Sequence, residues 1–268
     1  MLILVALAGT AVAGIVAAQP VSTERAAEII RQSIQKNEAD WRAEPLYDHC
    51  ERDDDGKGAR TYDVTMIEGT PYKRLVAVNG RRLSASSARI EQLKLERATV
   101  ERRMESPSAR RQRLSGYRQR HMRIRSIVAE LARAFTFALD GRTSLESSEV
   151  YVLNATPRPD YDPPTRDARA LIGMHAVFWV DRRTHQWIRV SASVARPVSV
   201  VGFHFVRIEP GTTVEIEKVP VEANVWLTTH LRITSSSRIV FVLPHHTFYD
   251  ERDFEYRRTS AHVASACE

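Results

Sequence analysis

Short stretches in which apolar and polar residues alternate dominate the C-terminal half of the chain. In residues 225–233, for example, Val225, Leu227, Thr229 and Leu231 alternate with side chains of the opposite face. A period of two residues is typical of strands. After Glu149 we therefore predict no helix but an antiparallel sheet whose strands, beyond one that starts at Glu149, cover residues 169–181, 186–195, 200–208, 212–218, 225–233, 238–243 and 247–257.

The N-terminal half begins with a helical pattern that is followed by hairpin signals. Residues 22–41 place Ala26, Ile29 and Ile34 at helical spacing, which predicts a short amphipathic helix. Residues 59–83 then alternate on both sides of a turn at 68–71, and Asn79-Gly80 supplies a second tight turn. These signals predict the start of a β-meander.

Residues 84–139 return to a helical period and form the predicted helical segment of the chain. Pro107 divides this segment into two helices. The second helix carries one apolar stripe, and arginines occupy the rest of its surface. The stripe consists of Leu114, Tyr117, His121, Ile124, Val128, Leu131 and Phe135. The fold class is therefore α+β, with a large antiparallel sheet, curved or sandwich-like, and helices packed on one side.

The first 18 residues form an uncharged apolar run that ends in small side chains. Val16 and Ala18 lie three and one before a cleavage point ahead of Gln19, which predicts a secretory signal peptide over residues 1–18. No lysine or arginine precedes the run, and its length also permits an uncleaved membrane anchor. We expect a periplasmic or secreted protein whose residues 19–268 form a single domain.

The net charge of +6 comes mostly from arginine and is concentrated on the predicted helical segment. Such a surface suits an anionic membrane, an acidic partner protein or nucleic acid. It is also typical of a solvated helix face that covers a sheet. Export makes nucleic acid an unexpected partner, so we predict a solvated face first and contact with a membrane surface or an envelope protein second.

Two cysteines, Cys50 and Cys267, lie near opposite ends of the mature chain. In an oxidising compartment they can form one disulfide, but they can equally remain two thiols, because the sequence does not show that the two ends are neighbours.

The sequence contains no motif that predicts catalysis or a bound cofactor. It has no nucleophile elbow, HExxH motif, phosphate loop or dinucleotide fingerprint. Residues 51–58 loosely resemble a calcium loop, but Tyr62 stands where a bidentate glutamate is required, so we predict an acidic hairpin turn. The histidines considered as metal ligands lack convergent spacing, and we expect no metal site. They are His175, His185, His204, His230, His245 and His246.

Three segments of the second half resemble one family of envelope proteins. VFWVDRRTHQWIRVSASV (177–194) resembles a conserved hairpin of the LolA-like lipoprotein-sorting superfamily, which includes the LppX and RseB types. PGTTVEIEKVPVEANVWLTTHLRI (210–233) resembles its following strands, with Thr228 in place of a usual proline, and DERDFEYRR (250–258) resembles its last strand. In this interpretation, residues 182–185 are only the water-exposed loop of the first hairpin.

The resemblance implies an unclosed β-barrel whose concave face is covered by helices and holds acyl chains without catalysis. We therefore predict a periplasmic carrier of lipid or lipoprotein, with an envelope-stress sensor or protein-interaction module of the RseB kind as the alternative. No binding residue can be carried over from the family. The residues predicted to line the cavity are apolar positions of this chain: Phe135, Phe178, Val180, Phe203, Phe205, Leu227 and Leu231.

Overall fold

The computed structural model describes residues 23–145, 148–200, 206–239 and 243–259, together with Cys267. Helix α1 covers Thr23–Ala43 and agrees with the helix predicted for residues 22–41. Helices α2 (Ala85–Met104) and α3 (Pro107–Ala134) follow the first strands, and each begins at a serine cap directly before its first turn.

The strands form one antiparallel sheet that does not close. Their order is β4-β3-β2-β1-β13-β12-β11-β8-β7-β6-β5, and a short β9–β10 pair is attached to β12. In the described residues β4 and β5 end this order and are not paired with each other. The strands are β1 Tyr47–Asp54, β2 Ala59–Ile67, β3 Thr70–Val78, β4 Arg81–Arg82, β5 Phe135–Leu145, β6 Ser148–Pro157, β7 Met174–Asp181, β8 Trp187–Val194, β9 Val198–Val200, β10 Val206–Ile208, β11 Thr213–Glu222, β12 Val225–Ile239 and β13 Leu243–Arg258.

The predicted hairpin turns lie where the sequence placed them. Glu68-Gly69 and Asn79-Gly80 join β2 to β3 and β3 to β4, and all four residues have positive φ angles. Two successive positive φ values define the turn that matches the twist of antiparallel strands. The acidic segment 55–58 likewise connects β1 to β2, and residues 182–186 connect β7 to β8, so both predictions of a hairpin are confirmed.

Several local predictions were wrong. Residues 234–237, predicted to separate two strands, lie within β12. The segment 200–208, predicted to be one strand, includes Val200 of β9 and its partner Val206 of β10.

The helical segment ends at Ala134 rather than near residue 139, because Phe135 adopts an extended conformation and pairs with Pro157 as the first residue of β5. The spacing of Leu131 and Phe135 fits a helix, but Phe135 and Phe137 are alternate buried residues of a strand. Residues 169–173, predicted to begin the strand 169–181, belong instead to a 3-10 helix, Asp167–Gly173, before β7.

The hydrophobic core lies between the helices and one face of β5–β8, which we call the inner face of the sheet. Ala26, Ile29 and Ile30 of α1 pack there with Leu131 of α3 and with Phe178 of β7. The fold is therefore α+β, with a large unclosed antiparallel sheet and helices on its inner side, as predicted.

Helix α3 spans the sheet between its two ends, from β3 to β5. Its 28 residues make a rod of about 42 Å. Arginines attach it along its length: Arg113 donates to the carbonyl oxygen of Glu68, Arg125 pairs with Glu38 of α1, and Arg123 pairs with Asp167. Much of the arginine density thus holds a covering helix in place.

Cys50 and Cys267 are joined by a disulfide, with their Cα atoms 5.3 Å apart. The bond fastens the C-terminus to the middle of β1. The signal peptide predicted for residues 1–18 lies outside the described residues and stays a prediction. Among the helices that the structure describes, none has the length and apolar character needed to cross a membrane.

Candidate functional site

The residues predicted to line an acyl cavity fall into three groups. Phe135, Phe178 and Val180 are buried inside the hydrophobic core, packed against its other members. The ring of Phe178 contacts those of Phe137 and Trp187 at centroid distances of 5.8 and 5.7 Å. In this half of the inner face, the chain's own side chains fill the space between sheet and helices.

The second group lies on β12, farther along the sheet. Leu227 is buried near the start of the strand, whereas Leu231 is only partly buried. Leu231 pairs with Ile216 of β11, and Ile233 pairs with Val214, so four partly buried aliphatic side chains adjoin on the inner face. We call these four residues the aliphatic patch. The third group, Phe203 and Phe205, lies outside the described residues.

A buried ionic network fixes the end of α1 to the sheet beside this patch. The carboxylate of Asp40 accepts hydrogen bonds from Lys218 Nζ (2.5 Å), the Trp226 backbone N–H (3.0 Å) and Gln186 Nε2 (3.3 Å). Lys218 also donates to Asn37 Oδ1 at 2.9 Å. Burial lowers the pKa of Lys218, while the neighbouring Asp40 carboxylate opposes that shift. The network is structural, because its charges are compensated internally.

Beyond the patch, the inner face becomes acidic where β13 pairs with β1. Glu51 lies opposite Asp253, and Asp53 lies opposite Glu251, with His49 two residues before Glu51. We call these five residues the acidic cluster. Lys73 of the neighbouring β3 pairs with Glu51 and approaches Asp53 Oδ2 at 3.7 Å. One lysine thus faces four carboxyl groups.

Burial perturbs the protonation of this cluster. It raises the pKa of Glu51 to about 8 against the opposing effect of Lys73, and it raises the pKa of Asp253 well above its usual range. Burial also lowers the pKa of His49 to about 4, so its imidazole is neutral at pH 7. Such perturbed groups gathered in one place are typical of a functional site.

Glu44, at the end of α1, belongs to the same polar region. Enclosure by its neighbours raises its pKa to about 7, yet 36% of its side chain is exposed. Tyr117 and His121 of α3 lie beside it: His121 Nδ1 is 3.8 Å from a Glu44 oxygen, and the Glu44 carboxylate raises the pKa of Tyr117 further than burial alone.

The outer face carries a shallow polar cleft of about 310 Å³. Trp179, Arg189 and Glu217 line it, and Arg189 pairs with Glu217 at 2.7 Å. His230 Nδ1 is 3.8 Å from the same glutamate. The basic and acidic groups of Arg189, Glu217 and His230 are therefore neighbours of one another in this cleft.

An exposed apolar stripe lies on α2. Ile90, Leu93, Val100 and Met104 are exposed by 54%, 51%, 55% and 81% respectively. Together with Arg97 they follow a spacing of three and four residues, so they share one face of the helix. We call the four apolar residues the α2 stripe.

Sequence reasoning missed both the acidic cluster and the α2 stripe. His49 was not among the six histidines considered as metal ligands, and His204, which was, lies outside the described residues. The alternation of His49, Glu51 and Asp53 was the available signal, but its partners on β13 are about two hundred residues away. The α2 stripe was visible as a periodic pattern of apolar residues, but no role was predicted for it.

Comparisons with known proteins complete the description of the site. No family model and no curated protein matches the chain. Among solved structures, the chain is similar to a putative outer membrane lipoprotein-sorting protein domain from Vibrio parahaemolyticus, with 10% identity, 89% of this chain and 94% of that chain covered, and a TM-score of 0.35. It is also similar to a DUF1329 family protein from Desulfovibrio piger, with 11% identity, 89% of this chain and 95% of that chain covered, and a TM-score of 0.32. A third similar structure is a chain of the MucA/MucB complex of Pseudomonas aeruginosa, with 8% identity, 88% of this chain and 100% of that chain covered, and a TM-score of 0.26.

Proposed function

We propose that this protein is a non-catalytic binding module of the cell envelope that docks an amphipathic helix of a partner protein on α2. The α2 stripe carries the proposal. Monomeric proteins rarely expose a continuous apolar surface of this kind, and those that do commonly use it for binding. Apolar positions repeated every three to four residues are the contacts that a partner helix makes.

The charges beside the α2 stripe favour a protein over a membrane as its binding partner. Helices that lie on membranes carry a uniformly basic polar face. Beside the α2 stripe the sign alternates, with basic Arg89 and Lys94 followed by acidic Glu96 and Glu101 and then basic Arg103. A helix with the complementary alternation can pair with this surface, whereas an anionic bilayer would meet repulsion at the glutamates.

The packing of the inner face favours a protein-binding module over an acyl carrier. An acyl carrier needs open apolar volume, and the apolar half of the inner face is packed with the chain's own phenylalanines. The disulfide suits an oxidising compartment, which agrees with the predicted export signal.

A crosslinking experiment in the native host tests the proposal. A photoreactive residue at position 97, between the two halves of the stripe, should capture one discrete partner, which is then purified and titrated against this protein. We expect Leu93→Glu and Val100→Glu to weaken the measured affinity at least tenfold, because each places a charge in the contact. Met122→Glu on α3, where the methionine is 62% exposed, is the matched control and should bind normally.

Two results would overturn this assignment. One is a partner whose affinity is the same for the Leu93→Glu variant and the original chain. The other is co-sedimentation with vesicles of anionic phospholipid that the same substitution abolishes, which would make the α2 stripe a membrane contact.

The aliphatic patch supports a second candidate function, that of a lipid or lipoprotein carrier. Leu231, one of the predicted cavity residues, is partly exposed there beside Ile216. Native mass spectrometry of protein purified from its own host should then show copurified lipid, and Leu231→Asp should abolish uptake of a fluorescent fatty acid. A ligand-free spectrum without any uptake would exclude the carrier.

A further inference from the structure

We infer that His49, Glu51 and Asp253 form a binding site for a divalent transition-metal ion on the inner face of the β1–β13 pair. His49 Nε2 is 3.9 Å from Glu51 Oε2 and 3.9 Å from Asp253 Oδ1. All three candidate ligand atoms lie within 4.8 Å of one another. The site is separate from the α2 stripe and does not depend on the proposed function.

These separations suit a metal ion better than direct hydrogen bonds. A distance of 3.9 Å is too long for a hydrogen bond between the imidazole and either carboxylate. With the third separation at most 4.8 Å, a point equidistant from the three atoms lies no more than about 2.5 Å from each, so movements of a few tenths of an ångström reach the ligand distances of Zn²⁺ or Mn²⁺. The imidazole nitrogen favours these ions over Ca²⁺ and Mg²⁺, which prefer oxygen ligands.

An unsatisfied buried atom faces the same space. Asp253 is only 9% exposed, and its Oδ1 atom, 3.9 Å from His49 Nε2, has no hydrogen-bond partner in the described chain. Buried polar atoms are almost always satisfied, and a carboxylate oxygen without a donor is costly, so a bound cation at this position would explain the arrangement.

The surrounding groups hold the candidate ligands in place. The Tyr256 hydroxyl donates to the Thr228 carbonyl oxygen at 2.5 Å and lies 3.3 Å from Asp253 Oδ2, and the other oxygen, Oδ1, lies 3.9 Å from His49 Nε2. Lys73 is held by the other oxygen of Glu51, so Glu51 Oε2 remains available. A metal ligand that is hydrogen-bonded through its second atom is the usual arrangement in metal sites.

The backbone also makes the site rigid. Glu51 and Asp253 are direct partners across the ladder of β1 and β13, and Cys50, between His49 and Glu51, is held by the disulfide. Ligands on paired strands keep their separation better than ligands on loops, which reduces the entropy lost on binding.

Titration of the disulfide-bonded, metal-free chain with ZnCl₂ and, separately, with MnCl₂ tests the inference by calorimetry. We expect one ion per chain and a rise in the unfolding temperature when the ion is added. Asp253→Asn and His49→Gln should each weaken binding at least tenfold. Glu217→Gln, which removes a carboxylate beside His230 on the outer face, should bind as the original chain does.

The Asp253→Asn variant is informative about both folding and binding. Asparagine has nearly the same size and shape as aspartate, so this variant should fold and should keep the disulfide. Absence of stoichiometric Zn²⁺ and Mn²⁺ binding would refute the site. Unchanged affinity in both Asp253→Asn and His49→Gln would place any bound ion elsewhere, and a preference for Ca²⁺ would refute the assignment to a transition metal.

Discussion

Replacing Asp40 by asparagine should destabilise the whole fold, because Asp40 fixes α1 to the sheet. Its side chain is 2% exposed, and that of its partner Lys218 is 5% exposed. Asparagine has nearly the same shape but no charge. In the variant, the Lys218 ammonium would remain buried with Asn37 Oδ1 as its other hydrogen-bond acceptor.

The size of this effect follows from the burial of both charges. Breaking a buried ion pair by removing one partner costs about 3–5 kcal/mol in free energy of unfolding, because the remaining charge is left uncompensated. For a chain of this length, about 3–5 kcal/mol corresponds to a fall of roughly 10 °C in the unfolding temperature. Replacing both residues, as in Asp40→Asn combined with Lys218→Met, removes the buried charge and should recover most of the loss.

Urea unfolding with the disulfide intact, followed by circular dichroism, measures these differences. Glu28→Gln on the exposed side of α1 is the control, since Glu28 makes a surface pair with Arg31, and such pairs contribute less than about 1 kcal/mol. A loss below about 1 kcal/mol for Asp40→Asn would refute the reasoning. So would a double variant that is no more stable than Asp40→Asn alone, because the cost would then not come from the stranded lysine.

Three further substitutions test other parts of the fold. The double substitution Cys50→Ser and Cys267→Ser removes a disulfide that spans 217 residues, and it should lower the free energy of unfolding in urea by about 2–5 kcal/mol. If the original chain is equally stable with this disulfide oxidised and reduced, the expectation is wrong. Phe178→Ala should cost about 3–5 kcal/mol by loss of buried contacts and creation of a cavity, and an unchanged urea midpoint would argue against a filled core. Gly173→Ala should lower the unfolding temperature, since a Cβ there would overlap Val198. Gly141→Ala, where the Cβ meets no neighbour and φ is not positive, is the control and should leave that temperature nearly unchanged.

Local signals in the sequence predicted much of the fold because they act within a few residues. Asn79-Gly80 specifies a tight turn through its own backbone preferences, and the alternation in residues 225–233 specifies a strand with two different faces. Phe135 shows the limit of such signals. Its spacing from Leu131 suits a helix, and only the pairing with Pro157 decides that it begins a strand.

The acidic cluster could not be predicted for a related reason. Glu51 and Asp253 meet only because β13 returns to pair with β1, and a bulge between Asp48 and Cys50 sets their register. A shift of one residue would turn the carboxylates toward the opposite face. The sequence shows that both strands are acidic, but it does not show that their carboxylates share one buried face.

The character of the inner face changes along the strand order, and this change limits what an acyl ligand could contact. From β5 to β8 the face is filled core, and at β13 and β1 it carries the acidic cluster. Between them lies the aliphatic patch, about 7 Å along each strand and about 5 Å across the pair. A patch of this size covers only a short part of a fatty-acid chain, so it buries only a few of the methylene groups, each worth about 0.8 kcal/mol.

A carrier would therefore need further apolar surface from segments next to the patch in sequence. Residues 201–205 and 240–242 supply Phe203, Phe205 and Phe241. If the chain carries lipid, Phe203→Ala combined with Phe205→Ala should reduce fatty-acid uptake as much as Leu231→Asp does. If it is an interaction module, the same pair of substitutions should leave partner binding unchanged while Leu93→Glu abolishes it. The lipid carrier and the interaction module predict opposite results for these variants. Measuring fatty-acid uptake and partner binding with the same set of variants therefore decides between the two functions.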